Sequence, residues 1–296
     1  MKREKSEIII YNNGEYEKEI ICAEKWMRLI YENPAFGAPL LFFARRKAIS
    51  RLYGLYCKTR LSAKNIPQFI QNNQVDMAGC KGPYKNFREF FTREKSGITF
   101  PDTSHLLGCP CEGMVSAYES IKTDKLISVK GQTYALAELF RDEAMARAYE
   151  GGAMFSIRLS PANYHRMHFF DDGAVISQKN INGGLFSVSP LALKKVARLY
   201  CRNKRALINF RAKNFGDAVI VEVGATFVGS IVHSFNDGDE VKRGGQASYF
   251  LPGGSLVLVL FKKGVIIPDK SLLRETEKGF ETKVKIGSII GEGLKQ

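Results

Sequence analysis

Two of the four histidines lie three residues apart in the segment Tyr164-His165-Arg166-Met167-His168. The preceding Ser160-Pro161-Ala162-Asn163 has the composition of a turn. Imidazoles titrate near neutral pH, so a histidine pair after a turn could exchange protons with a substrate or bind a metal. The sequence lacks an HExxH motif and a zinc-type Cys/His cluster, and we therefore predict no metal site. Histidines without a chemical role are the alternative.

A carboxylate and a hydroxyl also occupy positions suited to chemistry. Glu112 lies between a predicted turn and a predicted strand, where an isolated acid is most often simply solvated. Ser255 follows Gly253 and Gly254 and opens an apolar run that ends at Phe261. Paired glycines adopt backbone geometries closed to other residues, and such a bend holds the serine hydroxyl near the preceding carbonyl. The pattern is not the GxSxG elbow of hydrolases, and an ordinary tight turn is the alternative.

The elements that must position these residues are mostly short strands. After Phe100, β-forming runs alternate with Gly and Asp turns, which predicts an antiparallel β core. The predicted strands cover 113–118, 126–129, 154–159, 174–177, 206–210, 218–223, 226–233, 255–261 and 265–267. One helix is predicted over Ala135–Tyr149, with Thr133 as its N-cap. The fold class is thus α+β, with a sandwich- or barrel-like core whose segment 238–244 resembles the turns of lipoyl-carrier hammerheads.

The first third of the chain is predicted to be mainly helical. An Asn-Asn-Gly turn between Ile8–Tyr11 and Ile20–Ile21 indicates a hairpin, residues 22–75 read as helical, and Asn86–Arg93 reads as a short aromatic-basic helix. Within 33–75 there are seven basic residues and no acidic one. Apolar and basic side chains recur there on different helical faces: Leu41, Ala48, Leu52 and Leu55 on one, and Lys47, Arg51 and Lys58 on another. This pattern fits a helix on an anionic membrane or, equally, a helix packed on the protein's own core.

The net positive charge of the chain indicates an anionic binding partner. The 296 residues carry 44 Lys+Arg and 30 Asp+Glu, a formal net charge of +14. Such an excess favours an anionic partner, whether nucleic acid, lipid surface or small substrate. No helix-turn-helix, RNP-type or zinc pattern supports nucleic acid, which we therefore do not expect as a partner. No early apolar run approaches the length of a membrane span, and the six cysteines, without a CxxC pair, read as free thiols.

Taken in order, the motifs resemble one family. The series comprises NFREFFTR (86–93), KGQTYALAELF (130–140), RLSPANYHRMHFF (158–170), GGLFSVSPLAL (183–193), VGATFVGSIV (223–232) and the Gly-Gly-Ser bend. It is similar to the phosphatidylserine decarboxylases, pyruvoyl-dependent enzymes of phospholipid synthesis. The likeness runs from about residue 20 to residue 265, and RLYGLYCKTRLS (51–62) resembles the clostridial type.

The resemblance implies a proenzyme that cleaves itself between Gly254 and Ser255. The Ser255 hydroxyl would attack the Gly254 carbonyl and form an ester by an N→O acyl shift. Elimination to dehydroalanine and hydrolysis would then give a pyruvoyl group and ammonia. By motif position His168 is the base for Ser255, and Glu112 orients His168 as in a triad. The products would be a β chain, 1–254, and an α chain, 255–296.

The same resemblance implies the second reaction and its setting. The pyruvoyl cofactor would form a Schiff base with phosphatidylserine and act as an electron sink during loss of CO2, with His165 in substrate binding and proton transfer. Residues 1–95 would form a helical membrane-docking region and 96–296 the catalytic domain. The expected partners are phosphatidylserine, an anionic membrane surface and the protein's own second chain, in a heterodimer that could dimerise further. The expected location is the cytoplasmic face of the cell membrane, as a peripheral protein.

The sequence departs from the family pattern in two places. Many members have aspartate where Glu112 stands, and the extra methylene could loosen the His168 contact and slow maturation. The usual Leu-Gly-Ser-Thr cleavage motif is here Gly253-Gly254-Ser255-Leu256. Two other functions stay open: a non-processing homologue that binds membranes or regulates, and a pyruvoyl decarboxylase of a soluble amino acid.

Overall fold

The structure, a computed structural model, describes residues 7–33, 36–44, 47–122, 126–127, 133–225 and 231–294. Its architecture is α+β, with helices first and large, mostly antiparallel sheets after them. This agrees with the predicted fold class.

Ten α-helices are present in the described ranges, and a 3₁₀ turn at Arg60–Asn65 lies between the third and fourth. They are α1 Glu24–Glu32, α2 Gly37–Ala44, α3 Lys47–Tyr56, α4 Ile66–Asn73, α5 Phe87–Phe91, α6 Leu136–Phe140, α7 Glu143–Ala148, α8 Pro190–Lys195, α9 Leu199–Arg202 and α10 Lys270–Glu277.

Eighteen strands form the sheets within the same ranges. They are β1 Ile9–Asn12, β2 Glu15–Lys18, β3 Leu106–Gly108, β4 Gly113–Tyr118, β5 Leu126–Ile127, β6 Thr133–Tyr134, β7 Ala153–Leu159, β8 Arg166–His168, β9 Gly173–Ile181, β10 Arg205–Ala212, β11 Gly216–Gly224, β12 Ile231–His233, β13 Glu240–Val241, β14 Gln246–Phe250, β15 Ser255–Phe261, β16 Ile266–Pro268, β17 Glu281–Val284 and β18 Ile289–Gly293.

The main sheet has ten strands in the order β13-β9-β10-β11-β15-β7-β4-β17-β1-β2. Its pairs are antiparallel except for β1 with β17, which is parallel. Strand β15 lies in the middle and is buried along its whole length. One of its faces packs Val257 and Val259 into the core beneath the small sheets, and the other packs Leu256 and Leu258 against the helices. Burial on both faces explains why this strand reads as an unbroken apolar run.

Three smaller sheets complete the β structure: β12-β14-β8, β16-β18-β3 and β5-β6. The first carries the histidine segment, because β8 contains His168. The barrel alternative is wrong, since the main sheet ends at β13 on one side and at β2 on the other instead of closing. The likeness of 238–244 to a lipoyl hammerhead stays a prediction.

The helix predicted over 135–149 is interrupted. Arg141 takes a left-handed backbone with φ of +52°, and Asp142 caps a second helix by accepting from the Met145 N–H. The predicted N-cap is also wrong, because Thr133 belongs to β6 and α6 is preceded by Ala135. Part of two predicted strands, at 128–129 and 226–230, lies outside the described residues.

The N-terminal hairpin is confirmed, although its second strand is β2 rather than Ile20–Ile21. Strand β1 pairs with β17, near the end of the chain. The hairpin therefore belongs to the main sheet and not to a separate helical region. The domain boundary near residue 95 stays a prediction for the helices that follow the hairpin.

The helices α1 to α4 confirm the helical character of 22–75 but not one continuous apolar face. Leu41 packs against the core, whereas Leu52 is 67% exposed and Leu55 is 52% exposed. Of the predicted basic face, Arg51 and Lys58 are exposed. The Lys47 side chain, like Arg45 and Arg46, lies outside what the structure describes. Leu52 and Leu55 of α3 thus do not cover the protein's own core, whereas Tyr53 on the same helix packs against it.

A buried ion cluster joins the N-terminal segment to the main sheet. The Arg158 guanidinium donates to both oxygens of Glu19 at 2.9 Å and to Glu281 at 2.6 to 3.2 Å. Burial by itself would lower the pKa of Arg158, but the two carboxylates raise it above its ordinary value. These contacts connect residues that are more than 120 positions apart in the chain.

Replacing this buried cation should be costly. We expect Arg158→Met, made in an uncleavable Ser255→Ala background, to lose about 3–5 kcal/mol of unfolding free energy, because two buried carboxylates lose their counter-charge. Chemical denaturation measures the loss. Arg211→Met is the matched control, since Arg211 pairs with Asp217 at the surface and should contribute about 0–1 kcal/mol. Equal losses for the two variants would contradict the role given to the cluster.

Candidate active site

Ser255 is the first residue of the central strand. It lies in register with Gly224 of β11 on one side and Leu159 of β7 on the other. Its side chain is fully buried. The peptide bond that precedes Ser255 is therefore held at the end of a strand that is fixed by hydrogen bonds to both neighbours.

The two glycines before Ser255 differ in why they suit the bend. Gly253 has a φ of +143°, a region that favours glycine. A β-carbon on Gly254 would lie only 3.1 Å from Cγ2 of Val188 and 3.8 Å from the Leu159 carbonyl oxygen. Gly253 is thus favoured by its backbone conformation, and a side chain at 254 would require Val188 to shift by a few tenths of an ångström.

His165 is the histidine that contacts Ser255. Its Nδ1 lies 3.4 Å from the Ser255 Oγ, and its Nε2 lies 3.0 Å from the Ser160 carbonyl oxygen. A carbonyl only accepts, so Nε2 carries the proton and Nδ1 presents its lone pair to the hydroxyl. The ring stacks on Phe91 of α5 with centroids 4.0 Å apart. The turn and α5 together fix the tautomer and the plane of this imidazole.

The surroundings of His165 oppose a positive charge. Burial, and to a smaller extent the nearby Arg93 guanidinium, lower its pKa to about 3 against the opposing effect of the Ser160 carbonyl. The imidazole is therefore neutral at physiological pH. It can hold the Ser255 hydroxyl, but it is a weak proton acceptor.

His168 has a different set of partners. Its Nδ1 donates to the Gly244 carbonyl at 2.8 Å, and its Nε2 accepts from the Tyr164 hydroxyl at 3.1 Å. Burial lowers its pKa, with a smaller contribution from Arg166. Both ring nitrogens are thus occupied by residues other than Ser255 and Glu112.

Glu112 is bound on both carboxylate oxygens. Oε1 accepts from the Asn163 amide at 3.2 Å, and Oε2 lies 3.6 Å from the Lys95 ammonium. The expected Glu112–His168 contact is therefore not formed, and among the described residues no hydrogen bond joins His168 to Ser255 either. The reason is local, because Asn163 and Lys95 take the carboxylate while Tyr164 and Gly244 take the imidazole.

The structure thus brings together Ser255, Gly254 and His165, and places Glu112 and His168 around the same turn without linking them. Asn163 connects the parts, since its side chain accepts from the Ser160 N–H at 2.8 Å and donates to Glu112. Sequence reasoning missed the positioning roles of Asn163, Tyr164 and Phe91. The SPANYHR segment contained the first two, but nothing in the sequence indicated that Phe91 would stack on an imidazole.

An apolar cavity of about 170 Å³ opens beside the bend. Gly253, Gly254 and Ser160 line it together with residues of the N-terminal segment and α5, among them Ile21, Met27, Tyr53, Phe87 and Phe91. A group that reaches the Gly254–Ser255 bond through this cavity passes apolar side chains.

The protonation of His165 can be tested directly. In the Ser255→Ala protein we expect its ring to remain neutral and protonated on Nε2 from pH 5 to pH 8, because its pKa is about 3. Folding then excludes a proton that the unfolded chain binds below its ordinary pKa, so this group makes stability fall as the pH drops below about 6.5. Nitrogen-15 NMR of the imidazoles measures the protonation state and the tautomer of His165. An Nδ1-protonated ring, or titration near pH 6.5, would contradict the geometry.

Comparison with known proteins shows the family of the chain. The family description of phosphatidylserine decarboxylase matches residues 87–292. A phosphatidylserine decarboxylase proenzyme of Ruminiclostridium cellulolyticum is 38% identical over 96% of this chain and 97% of its own length. Proenzymes of the same description from Clostridium novyi and Clostridium beijerinckii are 38% and 39% identical, over 97% and 96% of this chain and 100% and 98% of their own lengths. The chain belongs to the phosphatidylserine decarboxylase family.

Proposed function

We propose that this chain is a proenzyme that cleaves itself between Gly254 and Ser255 and then decarboxylates phosphatidylserine to phosphatidylethanolamine. The observation that carries the proposal is the buried Ser255 hydroxyl, which follows a two-glycine bend and contacts a histidine, in a chain of this family. A serine in a simple tight turn needs neither burial nor an imidazole partner.

Cleavage begins with attack of the Ser255 Oγ on the Gly254 carbonyl carbon. The C–N bond breaks as the C–O bond forms, and the acyl group passes from nitrogen to oxygen as an ester. Elimination then releases chain 1–254 with a C-terminal carboxylate and leaves dehydroalanine at position 255. Water hydrolyses this residue, through its imine form, to a pyruvoyl group and ammonia. The two chains would stay together, because β15 remains between β11 and β7, and β17 remains between β4 and β1.

Position 255 fits a pyruvoyl group. That group has no more heavy atoms than the serine residue from which it forms, so the fully buried site can hold it between Gly224 and Leu159. The pyruvoyl ketone supplies an electrophilic carbonyl that withdraws electrons as CO2 leaves the substrate. His165 contacts this position, and a mostly apolar cavity adjoins it at Gly253 and Gly254.

The two histidines serve different steps, His168 in self-cleavage and His165 in decarboxylation. His165 binds substrate and exchanges protons at position 255, which it contacts; its low pKa makes it a poor acceptor of the Ser255 proton. His168 is less buried and keeps more of its basicity, which suits the base of self-cleavage. For that role the His168 Nε2 must exchange the Tyr164 hydroxyl for Ser255, and its Nδ1–H must exchange the Gly244 carbonyl for Glu112.

The chain would act at a membrane surface. Nine of the thirteen exposed large apolar side chains in the described ranges lie between Tyr16 and Leu61. Leu52, Leu55 and Leu61 lie among the exposed basic residues Arg51, Lys58, Arg60 and Lys64, and we call these seven residues the docking surface. Exposed apolar side chains among cations suit an anionic bilayer. No helix in the described ranges is long and apolar enough to span a membrane. We assign the protein to the cytoplasmic face as a peripheral protein.

Intact mass spectrometry tests self-cleavage and the roles of the histidines. Wild-type protein should give two chains, and Ser255→Ala one. We expect His165→Ala to be cleaved but to decarboxylate at least 100-fold more slowly, and His168→Ala to remain largely uncut, because base catalysis contributes about 10²–10⁴-fold. An uncut His165→Ala beside a cleaved His168→Ala would transfer the base role to His165. A wild-type chain that stays whole would favour a non-processing, membrane-binding homologue.

Vesicle co-sedimentation tests the docking surface. In the uncut Ser255→Ala protein, Leu52→Ala, Leu55→Ala and Leu61→Ala together should weaken binding to phosphatidylglycerol vesicles roughly tenfold or more, since each loses apolar area that enters the bilayer. Changing the four basic residues to glutamine should remove about 1 kcal/mol each at low salt. Ile176→Ala, Ile267→Ala and Ile289→Ala, three exposed isoleucines elsewhere, form the matched control and should bind normally. Equal loss in the control set would overturn the assignment, and a decarboxylase of a soluble amino acid would then be favoured.

A further inference from the structure

A second cavity, of about 420 Å³, lies beside the segment that follows α5. Its charged lining residues are four cations and two acids: Lys81, Arg93, Lys95 and Arg166 against Glu89 and Glu94. Glu94 is an exposed side chain that pairs with Arg166 at 3.3 Å, and Glu89 accepts from the Lys85 N–H at 2.9 Å. Of the four cations, Arg166 thus pairs with Glu94, and Lys95 pairs with Asp76 at 2.9 Å and with Glu112 at 3.6 Å. Arg93 and Lys81 form no ion pair with the described residues.

Arg93 is the unusual member of this lining. It is 3% exposed, and its Nη2 donates to the carbonyls of Ala162 and Asn163 at 3.1 and 3.2 Å. Its Nε and Nη1 have no hydrogen-bond partner among the described residues. A buried guanidinium without a counter-charge is costly, so two idle donors point to an acceptor that the polypeptide does not provide.

Tyr84 is a second side chain in the same cavity with an unpartnered donor. Its hydroxyl is buried and has no partner within the described part of the chain. Guanidinium groups only donate, and a tyrosine hydroxyl readily does so. Unpartnered donors from Arg93 and Tyr84, in a cavity where Arg93 and Lys81 have no acid partner among the described residues, fit a ligand with several acceptor oxygens and a negative charge.

We propose that this cavity binds a phosphate group through Arg93 and Tyr84, and that the group is the phosphodiester of the lipid substrate. The second part rests on the proposed function. The unpartnered Nε and Nη1 of Arg93 are buried in the uncut chain. Binding therefore requires the Arg93 side chain to rotate so that these nitrogens face the cavity. Arg93 already holds the turn that carries His165, so the bound headgroup would lie against the segment that contacts position 255.

The substrate carboxylate is a poorer match for Arg93 than the phosphodiester. The carboxylate loses its charge as CO2 departs, so a cation paired with it would stabilise the ground state more than the transition state. The phosphodiester keeps its charge throughout the reaction. A cation paired with the phosphodiester contributes equally to both states, and its loss should therefore appear in KM and not in kcat.

Thermal unfolding with inorganic phosphate tests the site without activity. The uncut Ser255→Ala protein should gain Tm saturably with phosphate, compared with chloride at equal ionic strength, since a ligand of the native state stabilises it. Adding Tyr84→Phe, which removes only a hydroxyl, should abolish most of this gain, whereas Tyr118→Phe, outside the cavity, should keep it. Absence of a saturable gain in the parent protein, or an equal gain with Tyr84→Phe, would overturn the site.

Kinetics with a dispersed short-chain phosphatidylserine test the identity of the ligand. Tyr84→Phe should raise KM roughly tenfold, as loss of a hydrogen bond to a charged group does, with kcat within about twofold. Inorganic phosphate should compete with the lipid. Phosphate that stabilises the protein without competing would show a site for free phosphate and overturn the substrate assignment, as would a fall in kcat at constant KM. A wild-type chain that never cleaves would refute the proposed function while leaving the phosphate titration of the uncut protein interpretable.

Discussion

The structure depends on a strand that is buried on both faces and that begins at Ser255. Strand β15 receives hydrogen bonds from β11 and β7, and its side chains fill the cores on either side. Ser255 therefore has little conformational freedom, and the chain must turn immediately before it. Gly253 makes this turn with a positive φ. A serine at an exposed turn would lack this fixed approach to its own peptide carbonyl.

Electrostatics around the turn separates the two histidines. His165 is buried, stacked on Phe91 and close to the Arg93 guanidinium, so protonation is unfavourable there. His168 lies nearer the surface, and both of its nitrogens have polar partners that could be exchanged. The same Arg93 that lowers the basicity of His165 also holds the turn through two carbonyls. One buried cation thus affects both the shape and the proton chemistry of the site.

Strands that begin at a glycine turn and have a mainly apolar pattern were predictable from the sequence. Strands β4 and β15 have the predicted bounds, because glycines or a Gly-Gly-Ser bend begin them and their apolar pattern ends abruptly. The break at Arg141 was not predictable, since a left-handed arginine carries no composition signal and Asp142 reads as an ordinary helical residue. Likewise, periodicity could not decide whether Leu52 and Leu55 face the core or solvent, because both cases have the same spacing. Asn163 and Lys95, which bind Glu112, are separated from it by 51 and 17 positions in the chain. Local sequence patterns therefore could not predict these contacts.

The helices that carry the docking surface and the site share one packed cluster. Cys57 and Ile66, from the region of the docking surface, pack with Phe87, Phe90 and Phe91. The Phe91 ring stacks on His165, and the Ser62 hydroxyl accepts from the Phe87 N–H at 2.9 Å. Close packing transmits displacement because few voids exist to absorb it. A shift of the docking helices at a bilayer would therefore reach the imidazole beside Ser255 through α5. The apolar cavity at Gly254 lies against this same helix, so one element both borders the cavity and holds the ring of the histidine.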